Sequence, residues 1–289
     1  MLATLETSLA SRRRTSLWAV RNVELFVGLL LTGVMVIAVA FSGVLFPDGG
    51  ESMDLATRLM TPFTSAAHPL GTDPLGRDVL ARIVVGGKIS LMVGFLSVLG
   101  GVTLGTLVGL VAGYYRGIWE MVLMRCADVQ LALPFILVAI TFTAILGADV
   151  YKLIFFMVIT QWVQYARIAR GQVLALRDRE FVQSARAIGV RDAKIILHHI
   201  LPNALGPLVV LITLNVANNI LLESSLTFLG LGIDPQIPSW GGMLADGRTY
   251  LQTAWWINVF PGLAIMVTVL GLNILGDWLR DFIDPTGPM

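Results

Sequence analysis

Charge is what this 289-residue sequence has least of. Asp, Glu, Lys and Arg make up 13% of it, about half the roughly 25% usual in a soluble globular chain. Cysteine occurs once, as Cys126, which excludes an internal disulfide framework and any multi-cysteine metal centre and leaves it as a small apolar packing residue. Histidine occurs three times. His198 and His199 are adjacent and point about 100° apart on a helix, and only His68 remains, so no metal site is expected. A phosphate-binding loop is also missing. Gly87-Lys88 is followed by Ile89 where Ser or Thr is needed, and Arg82 stands at the first glycine position. No serine has the Gly-rich setting of a nucleophile, which argues against an intramembrane protease. No catalytic residue and no cofactor bound by this chain are expected. The net charge of +1 names no partner, and nucleic acid is not expected among them.

What fills the space is apolar. Hydrophobic residues reach 56% and the mean hydropathy is +0.78. Uncharged runs cover 25–47, 89–115, 129–148, 200–222 and 249–276. Each has the about 20 residues that cross about 30 Å of hydrocarbon at helical rise, and only helices or closed barrels satisfy their backbone there. Residues 153–166 are shorter but lie between Lys152 and Arg167, whose long side chains reach the two interfaces. The expectation is an all-α membrane protein with six transmembrane helices. Arg12, Arg13, Arg14 and Arg21 precede the first run and no small-residue cleavage site follows, so a retained first span is expected rather than a signal peptide.

Six spans put both termini on one side. The segments on that side hold 14 of the 20 basic residues, which the positive-inside rule assigns to the cytoplasm. The long outside segments, 48–87 and about 233–248, are rich in Pro, Gly and Asp, and turns and short helices are expected there.

The long inside segment carries most information. Residues 178–202 read DREFVQSARAIGVRDAKIILHHILP. Phe181, Val182, Ala185 and Ile188 recur at helical spacing, with Asp178 as N-cap. Gly189 stands where a helix end wants a left-handed residue. Asp192 then caps a second helix bearing Ile195, Ile196 and Ile200, and Pro202 and Pro207 bracket the start of the fifth span. The product is a helix–Gly–helix elbow on the cytoplasmic side, which by pattern alone is either a solvated loop or a docking element.

The spacing of Ala185, Gly189, Leu201 and Pro202 resembles the EAA motif of ABC importer permeases. Gln183 stands for its Glu, Ser184 for its first Ala and His199 for its Ile. The departures are similar to the peptide-permease version, A-R-A-x-G followed by H-I-L-P-N, here Ala185-Arg186-Ala187-Ile188-Gly189 and His199-Ile200-Leu201-Pro202-Asn203. HPLGTDPLGRDVLARIVVGGKISL (68–91), RCADVQLALP (125–134) and ESSLTFLGLGIDPQIPSWGG (223–242) resemble further segments of the same family in the same order. On these motifs the chain is identified as a C-type permease subunit of the dipeptide/oligopeptide/nickel ABC importer family.

That resemblance implies a type I ABC importer permease fold in a bacterial cytoplasmic (inner) membrane. The layout would be a cytoplasmic tail (1–22), a first transmembrane helix (23–47), an outside segment (48–87), a five-helix core (88–280) with a coupling loop (167–201), and a cytoplasmic tail (281–289). Gln183, Ser184, Ala185, Arg186, Gly189, His199, Leu201 and Pro202 would form the coupling element, docked on a cytoplasmic ATPase. The implied partners are a second homologous permease, two ABC ATPase subunits that hold the ATP and Mg, an external solute-binding protein, and membrane lipid. The family spans peptide, glutathione, nickel and some sugar systems. The competing class is a self-sufficient secondary transporter, which needs ion-coupling carboxylates and usually internal repeats; only Glu223 qualifies and no repeat is visible.

Three features inside the spans complete the reading. Gly101, Gly105, Gly109 and Gly113 fall four apart, which lets one helix face approach another closely, as static packing or as a pivot. Glu223 interrupts an apolar run, where a mid-bilayer carboxylate costs about 2.5–3.5 kcal/mol. About 20 residues beyond Pro202 it is expected near the outer end with access to water, either as a paired interfacial carboxylate or as a lining residue of the outer gate. Asn215, Asn218 and Asn219 precede it as a polar face on the same pathway. Arg125 and Asp128, three apart, are expected to pair on one helix face.

Overall fold

The computed structural model describes residues 22–283. The expected N-terminal tail with its four arginines, and residues 284–289 of the expected C-terminal tail, lie outside them. Among the described residues the fold is all-α, with one isolated bridge between Thr72 and Asp78 as its β element. Four helices are long and apolar enough to cross a membrane: α1 (Asn22–Ala40), α2 (Val79–Tyr115), α7 (Asp192–Phe228) and α9 (Trp256–Ile283).

The other two expected spans take different forms. The run 129–148 is not one helix. It is split between α3 (Gly117–Ala132) and α4 (Phe135–Leu146), which meet at 90°. Pro134 has no N–H to donate and forces Leu133 into extended backbone (φ −88°, ψ 132°), which ends α3. The 14-residue run at 153–166 is the middle of a longer helix, α5 (Val150–Leu176). Asp149 caps α5 by accepting from the N–H groups of Tyr151 and Lys152. Its 27 residues reach about 40 Å, so it is long enough to span, but Arg167, Arg170 and the polar residues among them keep it out of the apolar set. The sixth expected run, 249–276, also shifts: residues up to 255 form the end of a 3-10 turn (Arg248–Tyr250) and further turns, and α9 starts at Trp256.

Two small helices flank the spans. α6 (Glu180–Ala187) lies in the loop expected on the cytoplasmic side. α8 (Trp240–Gly247) lies in the segment expected outside, where the Ser239 hydroxyl accepts from the Gly242 N–H. The central seam joins α2 to α5. Gly101 faces Tyr165, Gly105 faces the Trp162 carbonyl, Gly109 faces Ala166 and Ala169, and Gly113 faces Val173. A Cβ on Gly109 would stand 2.5 Å from the Ala166 carbonyl oxygen, so the absence of side chains is what lets the two backbones touch. α1 leans on α9 through a smaller version of the same device, Gly28 against Leu275 and Gly271 against Thr32.

Packed clusters close both ends of the bundle. At the end that carries α8, Val79, Ile83, Ile220, Trp240, Met243, Trp256 and Ile257 are buried together. The Trp240 and Trp256 indole N–H groups donate to the Ile83 and Thr72 carbonyls. Beside them Asp73 accepts from Arg77 and Arg82, and Arg82 reaches Asp246 at 3.1 Å. Arg82 is only 3% exposed, and this paired network fastens the 48–78 segment to α8. At the opposite end Leu110, Tyr114, Val173, Val182, Ala185, Ile195 and Ile200 gather α2, α5, α6 and the start of α7.

Candidate coupling elbow and polar seam

The loop between α5 and α7 folds into an elbow with defined chemistry. Gly189 takes φ +80° and closes α6 with a Schellman pair. Its N–H donates to the Arg186 carbonyl at 3.0 Å, and the Val190 N–H to the Ala185 carbonyl at 3.1 Å. The caps differ from expectation. Arg179 occupies the N-cap position of α6 and makes no side-chain cap bond, while the Asp178 carbonyl accepts from the Gln183 amide. Asp192 is the first residue of α7, not its cap, and its carboxylate instead accepts from the Tyr114 hydroxyl at 2.6 Å. The Arg186 guanidinium lies over the Tyr114 ring, 5.3 Å from its centroid. The Tyr114 hydroxyl first, and then the charges of Asp192 and Asp178, hold that guanidinium above its ordinary pKa. Arg177 donates to the Tyr114 carbonyl at 2.9 Å, satisfying an end group of α2. The elbow is thereby tied to the tip of α2.

The second arm of the elbow is not a separate helix. Asp192–Ile195 runs on through a π-helical turn, Ile196–Ile200, into the long helix that ends at Phe228. Pro202 lacks the N–H that would bond to His198, and the wide turn absorbs the defect. The Asn203 amide donates to the His199 carbonyl at 2.7 Å.

The coupling candidates divide by exposure. Ala185 is buried with Val182 against Ile195 and Ile200. Gln183, Ser184, Arg186, Gly189 and Pro202 are exposed, and His199 and Leu201 are half-buried. Phe181 and Ile188, which spacing alone would turn inward, point outward with Ser184 between them on one face. Ile188 is 81% exposed. These two apolar side chains were missed as surface residues; their signal is that a short helix between charged residues carries more apolar positions than one buried stripe uses.

The polar residues of α7 also divide. Asn215, Asn219 and Glu223 share one face and are buried, whereas Asn218 is exposed on another. The Asn215 amide donates to the Tyr165 hydroxyl at 2.9 Å. Asn219 accepts from Gln161 at 2.6 Å and donates to Ser97 at 2.7 Å. This ladder ties α7 to α5 and α2. Glu223 is wholly buried, without the access to water expected near the outer end. Its oxygens accept from the Thr227 hydroxyl at 2.9 Å and the Ser224 hydroxyl at 3.2 Å. α8 packs over this stretch: Gly241 lies against Ser224 and Thr227, and the Trp240 backbone N–H donates to Ser90. Asp128, expected to pair with Arg125, pairs with Arg167 across to α5 at 2.8 Å, because a guanidinium on the neighbouring helix is nearer than one on its own. Among the described residues no group of His, Cys, Asp and Glu could hold a metal ion.

A bundle of apolar helices with tied loops at both ends is the architecture of an integral-membrane protein. Residues 105–286 match the binding-protein-dependent transport system inner membrane component family. The chain belongs to that family, a multi-pass inner-membrane permease rather than an enzyme. The dipeptide transport system permease protein DppC of Alkalihalophilus pseudofirmus is 42% identical over 265 residues, covering 92% of this chain and 86% of that protein. The glutathione transport system permease protein GsiD of Pectobacterium atrosepticum is 41% identical over 253 residues, covering 87% and 84%. Its namesake in Escherichia coli is 45% identical over 221 residues, covering 76% and 73%. A chain of the MetNI methionine ABC transporter, solved in inward-facing conformations, superposes with a TM-score of 0.55 at 18% identity, over 70% of this chain and 96% of that one. The fold is thus that of a type I ABC importer permease, and family membership sets aside the self-sufficient secondary transporter.

Proposed function

We propose that this chain forms half of the translocation pathway of an ATP-driven importer for di- or oligopeptides or a closely related solute such as glutathione. A second homologous permease supplies the other half, two ABC ATPases hold the ATP and Mg, and a solute-binding protein delivers the cargo from outside. Both termini are cytoplasmic. The relatives named for dipeptide and glutathione transport support the solute class. The elbow carries the mechanism. Its inner side is bonded to α2 through Tyr114 and Asp192, while Phe181, Ser184 and Ile188 face outward. An ATPase that grips this outer face moves α2 and α7 together, because α6 is bound to the first and α7 begins within the elbow. In α7, Asn218 is the pathway candidate, and Asn215, Asn219 and Glu223 brace the helix against α2 and α5.

Gly189→Val tests this reading. A Cβ there has open space around it, so the cost is conformational, about 1–2 kcal/mol for the left-handed backbone. The complex is expected to insert at normal levels, retain its ATPase weakly on copurification and lose uptake. Arg186→Glu should give a related defect that varies more with salt. Normal uptake with full ATPase stimulation in both variants would reduce the elbow to a connector.

A further inference from the structure

At the cytoplasmic end of the bundle, α3 stands away from α5 and leaves a cavity of about 830 Å³ between them. Its charged lining is Arg116, Glu120, Arg125, Asp128, Arg167 and Arg170, four guanidiniums against two carboxylates. Glu120 pairs with Arg170 and, at 3.9 Å, with Arg116, and Asp128 pairs with Arg167 at 2.8 Å. Arg125 makes no ion pair among the described residues. The cavity therefore has two positive charges in excess and one guanidinium directed at no acid.

Its surroundings identify the level in the membrane. Arg170 lies 20 residues beyond Val150, about 30 Å along α5, one hydrocarbon thickness from the outer end of the helix. Met121 and Met124 line the same cavity. Ile118, Trp119 and Val122 are exposed on α3, and tryptophan favours the headgroup level. A basic, apolar-walled recess between transmembrane helices on the cytoplasmic side is suited to an anionic headgroup. A free anion would use the charges but not the apolar wall, and a partner subunit set against this face is an outcome that the test below distinguishes.

We propose that this recess holds the phosphate of an anionic membrane phospholipid, with Arg125 and Arg116 as its principal donors and an acyl chain along Met121 and Met124. The guanidinium fork suits phosphate oxygens. The inference rests on the proposed orientation only for which leaflet supplies the lipid.

The test uses the intact importer in nanodiscs of phosphatidylcholine containing a minor share of phosphatidylglycerol. Lipid retained after detergent washing is counted by mass spectrometry. Phosphatidylglycerol should be enriched over its share of the bilayer. Arg125→Gln should lower its retention roughly fivefold, the effect of about 1 kcal/mol per basic residue, with retained phosphatidylcholine unchanged. Arg125→Lys should keep most of it. The proposal is overturned by absence of enrichment, by equal retention in Arg125→Gln, by displacement with inorganic phosphate, or by a Met121→Cys chain, with the exposed Cys126 replaced by serine, that crosslinks to the second permease. The assay reads neither uptake nor ATP hydrolysis, so its failure leaves the importer reading untouched.

Discussion

The α2–α5 pair and the α3–α4 arm are neighbours in sequence and opposites in packing. Along α2 and α5 glycine and alanine alternate with large side chains, and buried residues recur through both helices. In α3 and α4 the buried residues are Ala127 and Ala139, one in each helix, while Ile118, Met121, Ile136, Leu137 and Ile145 are exposed. Apolar content is high in both regions. What separates them is small residues in register, since in lipid close backbone approach, and not hydrophobicity, holds helices together. The arm is built to be covered by lipid or another subunit, and the pair is built to be complete.

The comparison breaks most sharply at the seam. Gly109→Leu drives a side chain into the Ala166 carbonyl, at about 1–3 kcal/mol or more, and should abolish the yield of folded chain from detergent extracts. Gly171→Ala on the facing helix α5 meets open space and should raise the melting temperature, as the roughly 0.5–1 kcal/mol penalty of a mid-helix glycine is relieved. A stable Gly109→Leu protein would show that α2 and α5 separate in the native membrane. Next comes Glu223. Removing the acceptor in Glu223→Ala strands the Thr227 and Ser224 hydroxyls at about 1–3 kcal/mol, read as a lower melting temperature. Glu223→Gln, which keeps the volume and one acceptor, should assemble; a change in uptake alone would give the carboxylate a role in the pathway. The smallest effect belongs to the arm, where Leu137→Ala should change the stability of the isolated chain by no more than about 0.5 kcal/mol. A larger loss there would mean that the arm folds back on the bundle.

The parts legible in the sequence were those written in local spacing. Four glycines four apart announce a close face, and Gly189 between two amphipathic stretches announces a left-handed stop. Charge counting placed the runs but not their ends. α5 continues past Arg167 because Asp128 and Glu120 on α3 receive its arginines, and a helix with paired charges need not end where the lipid does. Pro134 carried the signal for the break in the third run, since a residue before proline avoids helical backbone, yet an uncharged run reads straight through it. Glu223 was misplaced for a different reason. Its distance along α7 from Pro202 is sound, but its burial depends on α8, a short helix that the sequence places only as part of an outer loop. The Asp73–Arg82–Asp246 network lies beyond local reading altogether, because Arg82 and Asp246 are 164 residues apart.

The length of α2 has one more consequence. Its 37 residues make a rod of about 55 Å with no proline in it, anchored to the outer loops at Arg82 and to the elbow at Tyr114. α5 lies along it and is equally free of proline. Together they act as a gauge block, setting the separation between the face that meets the outside and the face that meets the cytoplasm. Compliance must then reside in α7 and α9, which carry Pro207 and Pro261 inside their helices. Strain entering the bundle from either face would be taken up as bending in those two staves, while the block keeps its length.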